Sequence, residues 1–286
     1  LLPDWPDTPP TTAAVEQRVR DADQAYHADQ YAVLLSEVPG MLSDAIHLAE
    51  ADGGEHAWRL RAAAHVVAAG CLLQLRHHDL AYQATMAALD ASQRASDQVM
   101  AAMAISRMTW LLIRQGRIAD ADRLAVITAD GIEPRLRNLD LERISHWGWL
   151  LLSAAAAAAR DSRPDDAREI LDAVGAGAAR MGVHQAPGLL HMTTMFGPAV
   201  VAMRRAEVEM VAGNAPGALK IRDRVDEAGA ALGHAFATSR ENPEWRRGES
   251  AFQAQLAAQW QEYLNFSNNL QRQTIEERWA STDAIN

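Results

Sequence analysis

The chain has 286 residues, of which 49% are hydrophobic and 22% charged, and its net charge is −10. That balance excludes disorder along the whole length and a chain-wide basic surface of the kind duplex nucleic acid requires. Cys71 is the only cysteine. It excludes an internal disulfide, fits a reducing compartment, and in its apolar helical context reads as a small buried residue.

Residues 1–12 read as a linker, because Pro3, Pro6, Pro9 and Pro10 keep the backbone extended. Alanine, the best helix former, dominates the rest, and no segment alternates with the period of a strand. The pattern predicts helices over 13–37, 41–50, 57–75, 79–93, 97–115, 118–129, 140–160, 164–181, 188–212, 215–230 and 246–280. Pro39-Gly40, Gly53-Gly54, Gly116, Gly131 with Pro134, Pro164, Gly182 with Pro187, Gly213 with Pro216, and Pro243 separate them. The longest apolar stretch, Trp149 to Ala159, is too short to span a membrane, and the proline-rich start does not resemble a signal peptide. A cytoplasmic protein without a membrane segment is expected.

Four segments share the plan of two antiparallel helices joined by a short turn, with a small alanine opening the second helix. They centre on Leu72 to Leu89, Trp110 to Ala121, Ala156 to Ala167 and Met210 to Leu219. The marker alanines Ala81, Ala121, Ala167 and Ala218 stand 40, 46 and 51 residues apart, against about 34 for a strict TPR. The expected fold is all-α: a degenerate, TPR-like solenoid of antiparallel helix pairs, a right-handed superhelix with no sheet, over residues 13–230. An irregular helical bundle is the alternative. Residues 231–286 read as a loop and a long helix with an apolar stripe of Phe252, Leu256, Trp260, Tyr263 and Leu270, suited to capping or dimerisation.

In such a stack the first helix of each pair lines the concave face. Helical spacing then places Ala63, Val66, Gly70 and Leu73 in one column, and Met103, Ser106, Trp110, Ile113 and Arg114 in the next. Trp149, Leu152, Ala156 and Arg160 follow, with His146 one turn earlier. The last column is Val200, Met203, Glu207 and Met210, with Phe196 one turn earlier. Large Trp110 and Trp149 beside small Gly70 and Ala156 suggest a hollow walled by aromatics. Methionines such as Met103, Met192 and Met203 give it an adaptable surface. Arg107, Arg114, Arg160, Arg204 and Arg205 suit a carboxylate or phosphate. The candidate ligand-binding set is Met103, Arg107, Trp110, Arg114, His146, Trp149, Met192, Phe196, Met203 and Arg204. The same spacing also fits an ordinary core with solvated arginines. Gly197-Pro198 inside 188–212 marks either a kink or a plain helix break.

Catalytic patterns are not evident. His77-His78-Asp79 diverge on a helix, and Gly53-Gly54 separates His47 and Glu50 from Glu55 and His56. Asp161, Asp165 and Asp166 suit a helix start. No nucleophile elbow, phosphate-binding glycine loop or Cys-x-x-Cys occurs. Neither an enzyme, a cofactor nor a metal is expected.

One run, Met195-Phe196-Gly197-Pro198-Ala199-Val200-Val201-Ala202-Met203-Arg204-Arg205, precedes Gly213-Asn214-Ala215 and Ala218-Leu219. With Tyr31-Ala32 to Leu34-Leu35, Asp79-Leu80-Ala81 and Gly116-Arg117 to Ala121, it resembles the C-terminal TPR-like domain of XRE-type helix-turn-helix regulators of high-GC bacteria. The resemblance covers about residues 15–230 and rests on the order of several motifs. It implies a cytoplasmic, homodimeric regulator whose helical domain senses a small molecule or peptide. It also implies a DNA-binding domain upstream of Leu1 that this chain lacks, so DNA contact would run only through that domain. After Gly-Pro the family usually reads Thr-Asn-Val-Ala-Leu-His. Here Ala199, Val200 and Arg204 replace the Thr, Asn and His, which implies a different ligand, more apolar or more acidic. A constitutive protein-interaction scaffold is the alternative function.

Overall fold

The computed structural model describes residues 8–28, 30–134, 140–181, 188–190 and 196–221. Residues 1–7 of the expected linker, Met192 and the expected C-terminal segment 231–286 lie outside the described residues. Those described form helices and no strand.

The first pair is α1 (Thr12–His27) and α2 (Tyr31–Asp52). Their boundary departs from expectation. The sequence breaks at Pro39-Gly40, but α2 runs through both residues, and α1 ends earlier, at His27. Proline inside a helix costs about 3 kcal/mol. Here Leu34, Met41, Ala45, Leu48 and Ala49 form one buried stripe that packs on α1 and α3, and a break at Pro39 would divide it. By length and composition α2 is also apolar enough to cross a membrane, at a mean hydropathy of 1.2.

Next come α3 (Glu55–Gln74), α4 (His78–Arg94), α5 (Gln98–Arg114) and α6 (Ile118–Gly131). They are followed by α7 (Leu141–Arg160), α8 (Pro164–Met181) and α9 (Pro198–Val211). Pro198 stands at the start of α9 behind an extended Gly197, so the break, rather than the kink, holds. A proline is at home there because its missing N–H has no acceptor in the first turn.

Five turns share one geometry. Arg76, Ser96, Gly116, Ser162 and Gly213 each adopt a left-handed conformation, with φ between 52° and 78°. The residue after each donates its N–H five residues back: His77 to Leu72, Asp97 to Ser92, Arg117 to Leu112, Arg163 to Ala158 and Asn214 to Glu209, at 2.8–3.0 Å. This closes the preceding helix as a Schellman motif, and the next helix begins one residue later. The four marker alanines all stand five residues after a left-handed residue and are buried. Their N–H groups make the first helical bonds of the following helix.

Each helix touches the next in this order, α8 and α9 included. The odd-numbered helices α1, α3, α5, α7 and α9 also touch one another in that order. α4, α6 and α8 each bridge the two odd helices that flank them. Helices enclosed by neighbours on several sides become apolar all round, which accounts for α3 and α7. Ala154 to Ala158 of α7 are fully buried, and their small side chains admit close neighbours. Arg168 of α8 grips Glu209 of α9 with two bonds of 2.7 and 3.0 Å, and Arg163 reaches Asp122 of α6 at 2.6 Å.

Candidate functional site

The expected columns divide into two environments. Met103, Ser106, Ile113, Leu152, Ala156 and Val200 are buried in packing between helices. The hollow expected beside Gly70 is filled. A Cβ there would lie 3.1 Å from the Arg107 guanidinium carbon and 3.3 Å from the Tyr26 ring. Phe196 fills the space beside Gly148 in the same way, leaving no room for a Cβ, and its ring centre lies 6.4 Å from that of Trp149. Trp149 is half-buried between two apolar clusters, and Met203 packs on the second of them. Met192 lies outside the described residues.

His146 is buried, and its imidazole is held neutral, with a pKa lowered to about 3. Desolvation is the main cause and the Arg59 charge adds to it; Asp140 opposes both. Its ring lies in the core. Arg205 turns away from the other arginines, bonding the Leu171 carbonyl and the Asp172 carboxylate of α8 at 2.8 and 2.7 Å.

The remaining residues meet at the C-terminal ends of the odd helices. Tyr26 lies in the last turn of α1, Gln74 ends α3, Arg114 ends α5 and Arg160 ends α7; Arg204 lies midway along α9 and Glu207 one turn further on. Contacts join them into two bonded groups, one on α1, α3 and α5 and one on α7 and α9 against Trp110 of α5, which together form a polar seam. Arg107 stacks on the Tyr26 ring at 5.1 Å and donates to its hydroxyl at 3.4 Å. Gln74 donates to the same hydroxyl at 3.3 Å and accepts from Arg114 at 2.8 Å. Arg114 also donates to the Leu73 carbonyl at 3.4 Å. Arg160 donates to the Ala156 carbonyl at 2.9 Å and to Glu207 at 2.7 Å, and Arg204 donates to the other oxygen of Glu207. The guanidinium carbons of Arg204 and Arg160 stand 5.2 and 6.0 Å from the centre of the Trp110 ring.

Helix C-termini carry partial negative charge and exposed carbonyls, which is why arginines collect at this end. Burial sharpens the electrostatics. Desolvation alone pushes the Glu207 carboxyl up, but Arg204 and Arg160 more than offset it and hold the group ionised, below the ordinary carboxylate range. The Arg114 guanidinium is lowered, mainly by desolvation, with repulsion from Arg76 and Arg160 against attraction from Tyr26 and Tyr31. Its arginines and the Trp110 ring suit recognition of charge and of flat surfaces.

Periodicity had put Trp110, Arg114, Arg160 and Glu207 on inward faces but had not paired the last two. Nothing local links residues 47 positions apart. Gln74 carried no signal beyond its place near a helix end, and Tyr26 fell inside the expected helix 13–37. Among the described residues no three His, Cys, Asp or Glu side chains converge as metal ligands. Cys71 is buried, and burial pushes its thiol up, which suits an inert core residue. Two cavities, of about 440 and 510 Å³, open elsewhere: one beside Glu55, Arg59, Asp97 and Arg143, the other between α1 and α2. No family model, curated protein or solved structure matches the chain.

Proposed function

We propose that this chain is the ligand-sensing and dimerising domain of a cytoplasmic bacterial transcription regulator of the XRE type, with DNA binding supplied by a segment outside the chain. The proposal treats the helix pairs as a degenerate TPR-like solenoid whose odd helices form the ligand-facing layer. Its main support is the seam, where two bonded groups, one on α1, α3 and α5 and one on α7 and α9 against Trp110 of α5, together draw arginine side chains and their partners from all five odd helices. The repeated left-handed turns and the side-by-side order of the odd helices favour the stack over an irregular bundle.

A small molecule or peptide held at the seam touches several repeats at once. Its binding energy can therefore alter how one repeat sits on the next, and through the dimer the spacing of two DNA-binding heads. The ligand must bind the two arrangements unequally to have any effect.

The test is thermal melting of the chain against fractions of a bacterial extract and short peptides. A ligand at about a hundred times its Kd stabilises the fold by about 2.7 kcal/mol and raises the midpoint. If every fraction leaves the midpoint unmoved, the sensing function fails. A constitutive scaffold is favoured by one observation: Leu80, Tyr82 and Met86 of α4 are large, apolar and exposed. That reading requires a protein partner whose capture is lost on replacing Tyr82 and Met86 together by Ser.

A further inference from the structure

The seam carries the guanidiniums of Arg107, Arg114, Arg160 and Arg204 against one carboxylate, Glu207. The C-terminal ends of α3, α5 and α7 supply roughly half an elementary charge each, through carbonyls such as those of Leu73 and Ala156. With the ends of α1 and α9 counted as well, an excess of roughly half a positive charge remains, in a chain whose net charge is −10. Arg107 is 8% exposed and has no carboxylate partner among the described residues; it leans on the Tyr26 ring and hydroxyl. Glu207 is shared between two guanidiniums, and both of these lie over Trp110.

Glu207 links α9 to α7 through Arg160, while its bond to Arg204 stays within α9. Its two oxygens hold two guanidiniums from different helices, which is what the oxyanion of a bound ligand would do. We propose that Glu207 is an internal stand-in for a ligand oxyanion. A carboxylate or phosphate group enters between Trp110, Arg114, Arg160 and Arg204 and competes with Glu207 for Arg160 and Arg204. The proposal rests on the sensing function above, and adds the ligand's chemistry and the contact it switches. Trp110 keeps the two guanidiniums stacked while their edges exchange one acceptor for another. Once Arg160 turns to the ligand, the direct α7–α9 ion pair is replaced by a bridge through the ligand. The excess charge on the Arg114 side draws the anion in.

The test is isothermal titration of the full chain with inorganic phosphate, with succinate, and with trialanine bearing a free or amidated C-terminus. Chloride holds the ionic strength constant. At least one probe is expected to bind saturably. Glu207→Gln removes the competitor and should tighten that probe about tenfold, whereas Arg204→Gln should weaken it about tenfold, each the scale of one charged hydrogen bond. A purely structural ion pair predicts lower stability for Glu207→Gln without tighter binding. Phosphate alone identifies a phosphate source. Succinate identifies a small acid. Free but not amidated trialanine identifies a peptide terminus.

The proposal is overturned if no probe binds either the wild type or Glu207→Gln, or if Glu207→Gln binds no more tightly. Should Glu207→Gln fail to fold, by circular dichroism, Arg204→Gln decides, and unchanged affinity overturns the proposal. An extract fraction that stabilises the wild type and Arg204→Gln equally refutes this site and leaves sensing standing. Probe binding with the expected variant effects, but no active extract fraction, does the reverse.

Discussion

Helices α3, α5 and α7 present opposite chemistry at their two ends. At the N-terminal ends carboxylates predominate: Asp97 and Asp140 cap α5 and α7, and Glu55 and Glu142 stand in the first turns of α3 and α7. Arg59 lies among them, 3.0 Å from Asp97 and paired with Glu142. At the C-terminal ends arginines predominate around Glu207. The helix dipole sorts charge this way at both ends, so the sorting alone says nothing about function. Burial separates them. Arg59 and Glu142 are 35% and 27% exposed, whereas Arg160 and Glu207 are 12% and 5% exposed. An ion pair that is largely desolvated persists only when its geometry is well satisfied, and losing one partner is costly. The C-terminal seam is therefore the end at which losing a partner costs more.

Three measurements probe this contrast. The largest effect is expected from Glu207→Ala, which strands two buried guanidiniums and should cost about 3–5 kcal/mol in chemical denaturation. A loss under about 1 kcal/mol would erase the distinction between the two ends.

The second concerns His146, near the N-terminal end of α7. Its pKa is about 3 in the fold against 6.5 unperturbed. The unfolded chain thus binds more protons between these values. Stability is full above pH 6.5 and falls as the pH drops towards 3, by about 2 kcal/mol at pH 5 from this group alone. His65, lowered mainly by desolvation, adds loss of the same sign. Glu207 behaves differently. Its carboxyl is held below the ordinary 4.5, so its contribution is present above that value and lost only as the pH falls through the lowered one. Denaturation midpoints of the wild type should therefore drop between pH 7 and pH 5, and His146→Gln should flatten most of the drop. Parallel drops in both proteins would assign the acid sensitivity elsewhere.

The smallest effect is expected at the exposed end. Glu142→Ala leaves Arg59 paired with Asp97 and partly hydrated, so it should cost no more than about 1 kcal/mol. A cost as large as that of Glu207→Ala would mean that the two ends are equivalent.

Much of the helical organisation was legible in the residues. Gly116 and Gly213 announced two left-handed turns, and the marker alanines fell at the same place after each turn, because a tight helix entry tolerates little beyond a methyl group. Arg76, Ser96 and Ser162 adopt the same conformation with no glycine to signal it. There the flanking helices impose the geometry against a cost of roughly 1 kcal/mol. Pro39-Gly40 misled for a related reason: a local breaker was overruled by a buried stripe extending on both sides of it. At the site, periodicity picked the inward faces. It named Arg107 and Arg205 alike as arginines suited to an anion, although one fills the space beside Gly70 and the other reaches out to α8.

By itself, the sequence determined that the chain is helical, where most helices stop, and which faces are apolar. These depend on propensity and spacing over a few turns, and the interactions that set them lie within one helix. Only the tertiary structure decided that Arg160 would share Glu207 with Arg204 above Trp110, and that Tyr26 and Gln74 would extend the same seam. Those contacts join residues tens of positions apart, and their energies exist only once packing has brought the helix ends together and removed the water between them.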